Sequence, residues 1–374
     1  MSFPDRPGRA HPRRSPRTPK TPWRNYLGIG LLVGAVAGTV LFATAPSPYV
    51  VERPGPVFDT LGEVENSAGE KVPLIEIPGE TTYPTSGRLD LLTVYVNGSR
   101  ENPLNWLDVA RSWFDPSRTV VPIDAVYPPG QTQEEADEQS FVAMSTSQQD
   151  AVAAALTELG IAYSSVLTVE AVVEGSPAEG VLEEGDELLT VDGTPLPDVD
   201  ALRAALADAG VGTTVVLGIR RDGDAATVEL APAASETDGS AVIGIYPREN
   251  FEFPLDVRIQ LQNVGGPSAG MMFALGIYDK LTPGELTDGA HIAGTGTIGA
   301  DGRVGPIGGI VQKMYGAQAA GADWFLAPVA NCRAVVGRIP AGIEVFAVAT
   351  LDEAIEAVEA VADGEVSQLA RCEG

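Results

Sequence analysis

Histidine and cysteine are nearly missing from this chain, with two of each among 374 residues. His11 and His291 cannot form an HExxH zinc helix, and Cys332 and Cys372 form no CxxC pair, so zinc sites of those types are excluded. Lysine is also scarce, occurring only as Lys20, Lys71, Lys280 and Lys313. No G-x-x-x-x-G-K-[ST] stretch is present, which removes the phosphate-cradling loop of P-loop ATPases. Neither a metal nor another cofactor is expected. What is there suits packed domains rather than disorder: 44% hydrophobic and 20% charged residues, in a chain long enough for two cores.

The charge is unevenly placed. Residues 1–24 carry seven Lys/Arg against one Asp, so everything after them is more acidic than the total of −27 indicates. Such a body is a poor partner for nucleic acid. The run from Asn25 to Ala45, NYLGIGLLVGAVAGTVLFATA, is uncharged and long enough to cross a hydrocarbon core of roughly 30 Å. The basic tail before it predicts a single span with the N-terminus in the cytoplasm and residues 47–374 outside. A cleaved signal peptide is the alternative, since Ala43-Thr44-Ala45 is an A-x-A pattern, but the apolar run exceeds an ordinary signal core and Pro46 would follow the cut. Gly30, Gly34 and Gly38 offer small residues at four-residue spacing for helix pairing. Both cysteines then fall where a disulfide can persist, and a bond between them is an open possibility.

Beyond the span, residues 47–88 are rich in Pro and Gly and read as a stalk leading into short strands. Ser86 to Gly98 reads as a strand, and Asn102 to Pro116 as an amphipathic helix. A stretch of one long helix or two short ones ends at Gly160. From Ala162 the texture changes to alternating strands with turns at Gly175, Gly185 and Asp192-Gly193. A short helix follows, then a hairpin turning at Asp222-Gly223. Residues 232–240 form a polar linker.

The stretch from Asn263 to Lys280, NVGGPSAGMMFALGIYDK, sets a serine at the mouth of a buried helix. Pro267 suits the first helical position, which predicts Ser268 in the first turn, where the helix dipole favours developing negative charge. Ala269 and Gly270 permit close approach. On this pattern alone Ser268 serves equally well as a helix cap. A nucleophilic serine needs a base. His291 is a lone histidine opening a strand, an ordinary structural setting. Lys280 lies about 18 Å along the serine's own helix at 1.5 Å per residue, and Lys71 lies in the irregular stalk. Lys313 opens an apolar-faced helix after the Pro306-Ile307-Gly308-Gly309 corner, where burial would lower its pKa.

Two family resemblances join these observations. Gly175-Ser176-Pro177-Ala178 and the run from Gly185 to Asp192-Gly193, in the order strand, short helix, hairpin, helix, hairpin, resemble a PDZ domain over residues 161–233. The resemblance implies binding of an extended peptide at a sheet edge, with the carboxylate loop expected near Gly160–Ser165. A spacer or lid is the other use of such a fold. Gly266-Pro267-Ser268-Ala269-Gly270, Thr295-Gly296-Thr297-Ile298, Gly302-Arg303-Val304, Pro306-Ile307-Gly308-Gly309 and Lys313 resemble the proteolytic domain of Lon proteases over residues 241–350. That resemblance implies a Ser–Lys dyad: Ser268 as nucleophile, Lys313 as general base, Thr295 orienting the lysine, and Gly266 and Pro267 shaping the turn. The family's Asp before the Gly-Pro-Ser is Gly265 here, and its charged pair before the lysine is Val311-Gln312. The resemblance also implies polypeptide substrates and a homo-oligomer, hexameric in that family.

The expected architecture is α+β: a Lon-type proteolytic domain plus a PDZ domain, preceded by one transmembrane helix. Its parts are a basic cytoplasmic tail at 1–24, an anchor at 25–46, and a stalk with the front of the Lon-type domain at 47–160. The PDZ domain follows at 161–233 and the proteolytic domain at 241–374. The PDZ stands either between two domains or as an insertion within one. The expected function is ATP-independent, membrane-anchored cleavage of unfolded or disordered protein outside the cytoplasm. The alternative is a non-catalytic PDZ adaptor on a Lon-type scaffold. A histidine-dependent protease lacks its histidine and aspartate upstream of a G-x-S-G motif.

Overall fold

A computed structural model describes residues 23–235, 237–262 and 264–372. The basic tail expected over 1–24 therefore lies outside the described residues except for its last two. In chain order the main elements begin with helix α1 (Trp23–Thr44), strands β1 (Tyr49–Asp59) and β2 (Arg88–Asn97), helix α2 (Trp106–Ser112) and strand β3 (Thr119–Pro122). Helix α3 (Gln133–Glu158) is continuous, opened by a Thr132/Glu135 capping box. Then come β4 (Ser164–Val172), β5 (Glu187–Val191), α4 (Val199–Ala209), β6 (Val215–Arg221), β7 (Asp224–Leu230) and β8 (Ile245–Glu252). The last part holds α5 (Gly270–Leu281), β9 (His291–Gly294), α6 (Ile310–Ala320), β10 (Trp324–Pro328), β11 (Glu344–Val348) and α7 (Leu351–Asp363).

One six-stranded sheet runs in the order β11-β10-β9-β2-β1-β3. Its β9, β10 and β11 are parallel, and β9 is also parallel to β2, while β1 is antiparallel to both β2 and β3. The strands are buried on both faces, so neighbouring residues enter different cores. Leu91, Leu326 and Phe346 join α3, α5 and α7 on one side, whereas Leu92, Phe325 and Val345 join α6 on the other. Chain from both ends of the sequence thus builds one three-layer body.

The residues expected to be a stalk are part of that body. Only four residues lie between α1 and strand β1, and Val50 and Val51 are buried. The Pro54-Gly55-Pro56 run that suggested irregular chain falls at a break in the β1–β2 register between Pro54 and Val57. A missing proline N–H costs no ladder bond at such a bulge.

Between α3 and α5 the chain builds a second sheet, β7-β6-β5-β4-β8, with its own core of Leu167, Leu188, Leu217 and Ile219. A short strand at Thr194–Pro195 adds beside β5. The expected hairpin turn carries positive φ at Asp222 (52°) and Gly223 (89°). One boundary moves. Residues 245–252, placed in the later domain by the limit at 241, pair with β4 along their whole length. Their alternation marks a strand but carries no sign of which sheet takes it. The outer edge of the second sheet beside α4 is therefore β8, not the segment around Gly160–Ser165 where the carboxylate loop is expected.

Cys332 and Cys372 are joined by a disulfide. The chain near Cys372 lies against β11, with Ala347 N–H donating to Ala370 O at 2.8 Å and Arg371 paired to Glu344 at 2.6 Å.

Candidate active site

Helices α5 and α6 lie on opposite faces of the first sheet and both begin near the C-terminal end of β9. Crevices of this kind, outside the carboxyl ends of parallel strands, are where α/β sheets hold their ligands. Thr295 follows β9 directly, Ser268 precedes α5, and Lys313 lies in the first turn of α6. Lys313 Nζ is 2.6 Å from Ser268 Oγ and 2.8 Å from Thr295 Oγ1. The three residues singled out in the sequence meet in one cluster, and the other two, Gly266 and Pro267, form the turn that presents the serine.

Lys313 is 2% exposed, and loss of hydration pushes its ammonium pKa down to about 7. No carboxylate makes a salt bridge to it among the described residues. Thr295, fully buried, donates from Oγ1 to Ser268 O at 2.9 Å while receiving the lysine. Gly296 N–H donates to the same carbonyl at 3.0 Å, so the serine's peptide group is held by two donors. The Ser268 N–H makes no hydrogen bond among the described residues.

The helix begins later than the sequence pattern predicts. Its first residue is Gly270, so Ser268 sits in the turn ahead of it rather than in its first turn, and Pro267 is not the first helical residue. The turn is held from α3 instead. Gly266, at a φ of 85°, donates its N–H to Ser140 O at 2.8 Å, and Ser147 Oγ donates to Pro267 O at 2.9 Å. A Cβ on Gly270 would stand 2.6 Å from Ser147 Oγ and 2.7 Å from an Ile298 methyl, so only glycine lets these elements touch. Ser140 and Ser147 carry no sequence signal of this role, because a serine inside a helix does not announce its partner.

A cleft opens beside the serine, walled by Phe58, Thr93, Tyr95, Met144, Val264 and Gly308. Gly308 belongs to the corner before α6, which is clamped by buried Asn331. Its Oδ1 accepts from Ile307 N–H at 2.9 Å, and its Nδ2 donates to Ile307 O at 2.9 Å. Asn331 was not singled out in the sequence either.

The remaining bases stand elsewhere. His291 Nε2 lies 2.6 Å from Asp90 Oδ2, and Arg88 pairs with the same buried carboxylate at 2.9 Å. His291 opens the strand that Thr295 follows, about 13 Å away at 3.3 Å per residue. Lys280 lies in the last turn of α5, where burial lowers its pKa against the opposing pull of Asp279 and Asp59. Lys71 lies in a short strand paired with Glu63–Glu65.

Comparisons with known proteins match two parts of the chain. Residues 262–361 match the model of the Lon protease (S16) C-terminal proteolytic domain, and residues 142–231 match that of the PDZ domain. Lon protease 2 of Herpetosiphon aurantiacus is 34% identical over 169 residues, covering 42% of this chain and 20% of that protein. Lon protease 2 of Bacillus subtilis is 35% identical over 95 residues, covering 25% of this chain and 17% of that protein. The chain thus spans about a fifth of the length of the curated relatives it matches. Among solved structures, the PDZ domain of an SdrC-like protein from Listeria monocytogenes aligns at 23% identity and a TM-score of 0.21, over 22% of this chain and 85% of that one. The chain carries a Lon-type proteolytic domain and a PDZ domain.

Proposed function

We propose that this protein is a serine endopeptidase in which Ser268 is the nucleophile and Lys313 the general base. We propose further that it is anchored by α1 and cleaves unfolded polypeptide outside the cytoplasm without ATP. The observation that carries this reading is the buried amine 2.6 Å from the serine hydroxyl. An amine with a pKa near 7 is neutral often enough at physiological pH to take the serine proton. Thr295 directs its own hydroxyl proton at Ser268 O, so the amine donates one hydrogen to Thr295 and turns its lone pair toward Ser268 Oγ. Oγ then attacks the scissile carbonyl carbon, and the Ser268 N–H is available to the oxyanion. The resulting lysine ammonium returns its proton to the leaving amine. Water, deprotonated by the same lysine, releases the acyl group.

Strand β9 pairs with β2 only as far as Leu91, so from Leu92 onward the side of β2 away from β1 borders the cleft without a strand partner among the described residues. An extended polypeptide can add there, and a chain already unfolded meets that requirement without an unfoldase. Under this reading residues 164–252 form a recognition module inserted within the proteolytic domain, offering the edge of β8 to substrate. The seven basic residues over 1–24 support the outward orientation. The test is hydrolysis of an unfolded protein by the full chain in detergent, without nucleotide, compared with Ser268→Ala. Cleavage only by the wild type is expected. Equal cleavage by both, or an absolute requirement for ATP, overturns the reading, and binding without cleavage favours the adaptor.

A further inference from the structure

Helix α1 offers apolar side chains on every side: Tyr26 to Phe42 are all exposed, and the span from Tyr26 to Thr44 is long and apolar enough to cross a bilayer. The folded body starts almost at once. Only four residues separate α1 from β1, and they are tied down: Ser47 N–H donates to Leu104 O at 2.7 Å, and Pro46 bridges to Asn105. Phe42, in the last turn of α1, stacks on Trp106 at 6.3 Å, and Tyr49 meets the same ring edge-on at 5.8 Å. The end of α1 is therefore packed against α2 through a cluster of three aromatic rings. Trp106 and Tyr49 are of the class that concentrates at the membrane–water boundary, where an apolar ring meets lipid and its polar atom meets water.

Two further aromatic side chains, Trp113 and Phe114, follow at the end of α2 and are exposed. Trp113 lies seven residues after Trp106, two helical turns on, and so returns to the face that meets α1. Trp113 is 59% exposed and Phe114 89%, the highest value for a large apolar side chain among the described residues. The surrounding charges are balanced in pairs, Arg111 with Asp108 at 3.8 Å and Arg118 with Asp115 at 2.9 Å. In a chain of net charge −27 this turn can approach a lipid surface without bringing an unmatched charge. We propose that Trp113 and Phe114 seat in the headgroup layer of the bilayer that α1 crosses, so that the lipid surface holds the proteolytic domain at a second point. The proposal rests on α1 being a membrane span. Its occupant is lipid because Trp106, on which the end of the spanning helix stacks, and Trp113 share one face of α2.

The test reconstitutes the full chain into phosphatidylcholine vesicles, with or without bromine near the carbonyl end of the acyl chains, and compares wild type with Trp113→Phe. Trp113 is exposed and outside the catalytic cluster, so the variant should retain the wild-type rate of peptide hydrolysis. Brominated lipid should quench the wild-type emission, and the variant should lose the share of quenching owed to Trp113. Equal quenching of both proteins, with both floating with the vesicles, overturns the lipid contact and leaves the anchor standing. A blue-shifted Trp113 emission that bromine does not quench means that protein, such as a second copy, covers the ring, and it also overturns the proposal. Failure of the full chain to float overturns the anchor and the lipid contact together.

Discussion

Asn331 holds both polar groups of Ile307: its carbonyl oxygen accepts the Ile307 N–H and its amide nitrogen donates to Ile307 O, each at 2.9 Å. Ile307 sits in the corner that turns the chain into the helix of Lys313. Asn331→Ala should cost about 2 kcal/mol, because two backbone groups lose their partner in a buried setting. Asn331→Asp keeps the acceptor but sets a carboxylate oxygen against Ile307 O, so it should cost at least as much. If the clamp also positions Lys313, kcat should fall more than KM rises in the Ala variant. Denaturant melts and steady-state kinetics on the same samples check both effects.

The depressed pKa of Lys313 sets the pH dependence. Activity should rise with a limb near pH 7 as the amine loses its proton. Arginine stays charged, so Lys313→Arg should lose roughly 10³-fold in kcat/KM, as Lys313→Ala does. His291→Ala should keep most activity. The folded protein releases the lysine proton near pH 7 and the unfolded chain only near 10.4, so the destabilisation from this site is full below pH 7 and fades as pH rises toward 10. Lys313→Met should therefore raise the melting temperature more at pH 7 than at pH 10. A pH–rate profile flat between 6 and 8 would sink the assignment of the base.

Asp150 on α3 faces Glu249 of β8 and Asp301, with Asp198, Asp200, Arg203, Glu170 and Arg248 along the same cleft. Burial, then repulsion from Glu249 and Asp301, raises its pKa to about 7. The unfolded chain releases this proton near pH 4. The stabilisation from holding it is thus full below pH 4 and is lost as pH rises through about 7. Asp150→Asn should raise the melting temperature at pH 8 and change it little at pH 4. Equal shifts at both pH values would show that the charge is not the cause.

The disulfide between Cys332 and Cys372, 40 positions apart, ties the chain along β11. On the chain-entropy account its loss costs about 3–4 kcal/mol. Cys372→Ser should lower the melting temperature and expose the edge of β11, measured as faster amide exchange at Ala347, whose N–H is held by Ala370 O. Unchanged exchange there would show that the bond does not hold this contact.

The cluster of Ser268, Thr295 and Lys313 was legible because each lies in a short motif whose spacing is fixed by one turn or one strand end. Burial of Lys313 followed from the apolar pattern around it. Strand β1 was not legible, because Pro54 and Pro56 ordinarily end a strand and only a bulge opposite β2 accommodates them. The start of α5 was missed because Pro267 points its carbonyl at Ser147, 120 positions earlier, a contact no local pattern contains. For the same reason β8 reads as a strand without revealing that β4 is its neighbour.

The pairing of β2 with β9 carries one more consequence. Arg88 lies opposite His291, and the whole second sheet stands between them in the chain. Joining two strands so far apart requires closing a long loop before any contact rewards it. The second sheet is assembled from near neighbours and can form early, which shortens the effective loop. On topology alone the second sheet is expected to form first, the central sheet to close late, and Ser268 and Lys313 to meet only in that last step. On the proposed membrane topology, a chain still emerging on the far side would remain without its paired serine and lysine until the final strands arrive.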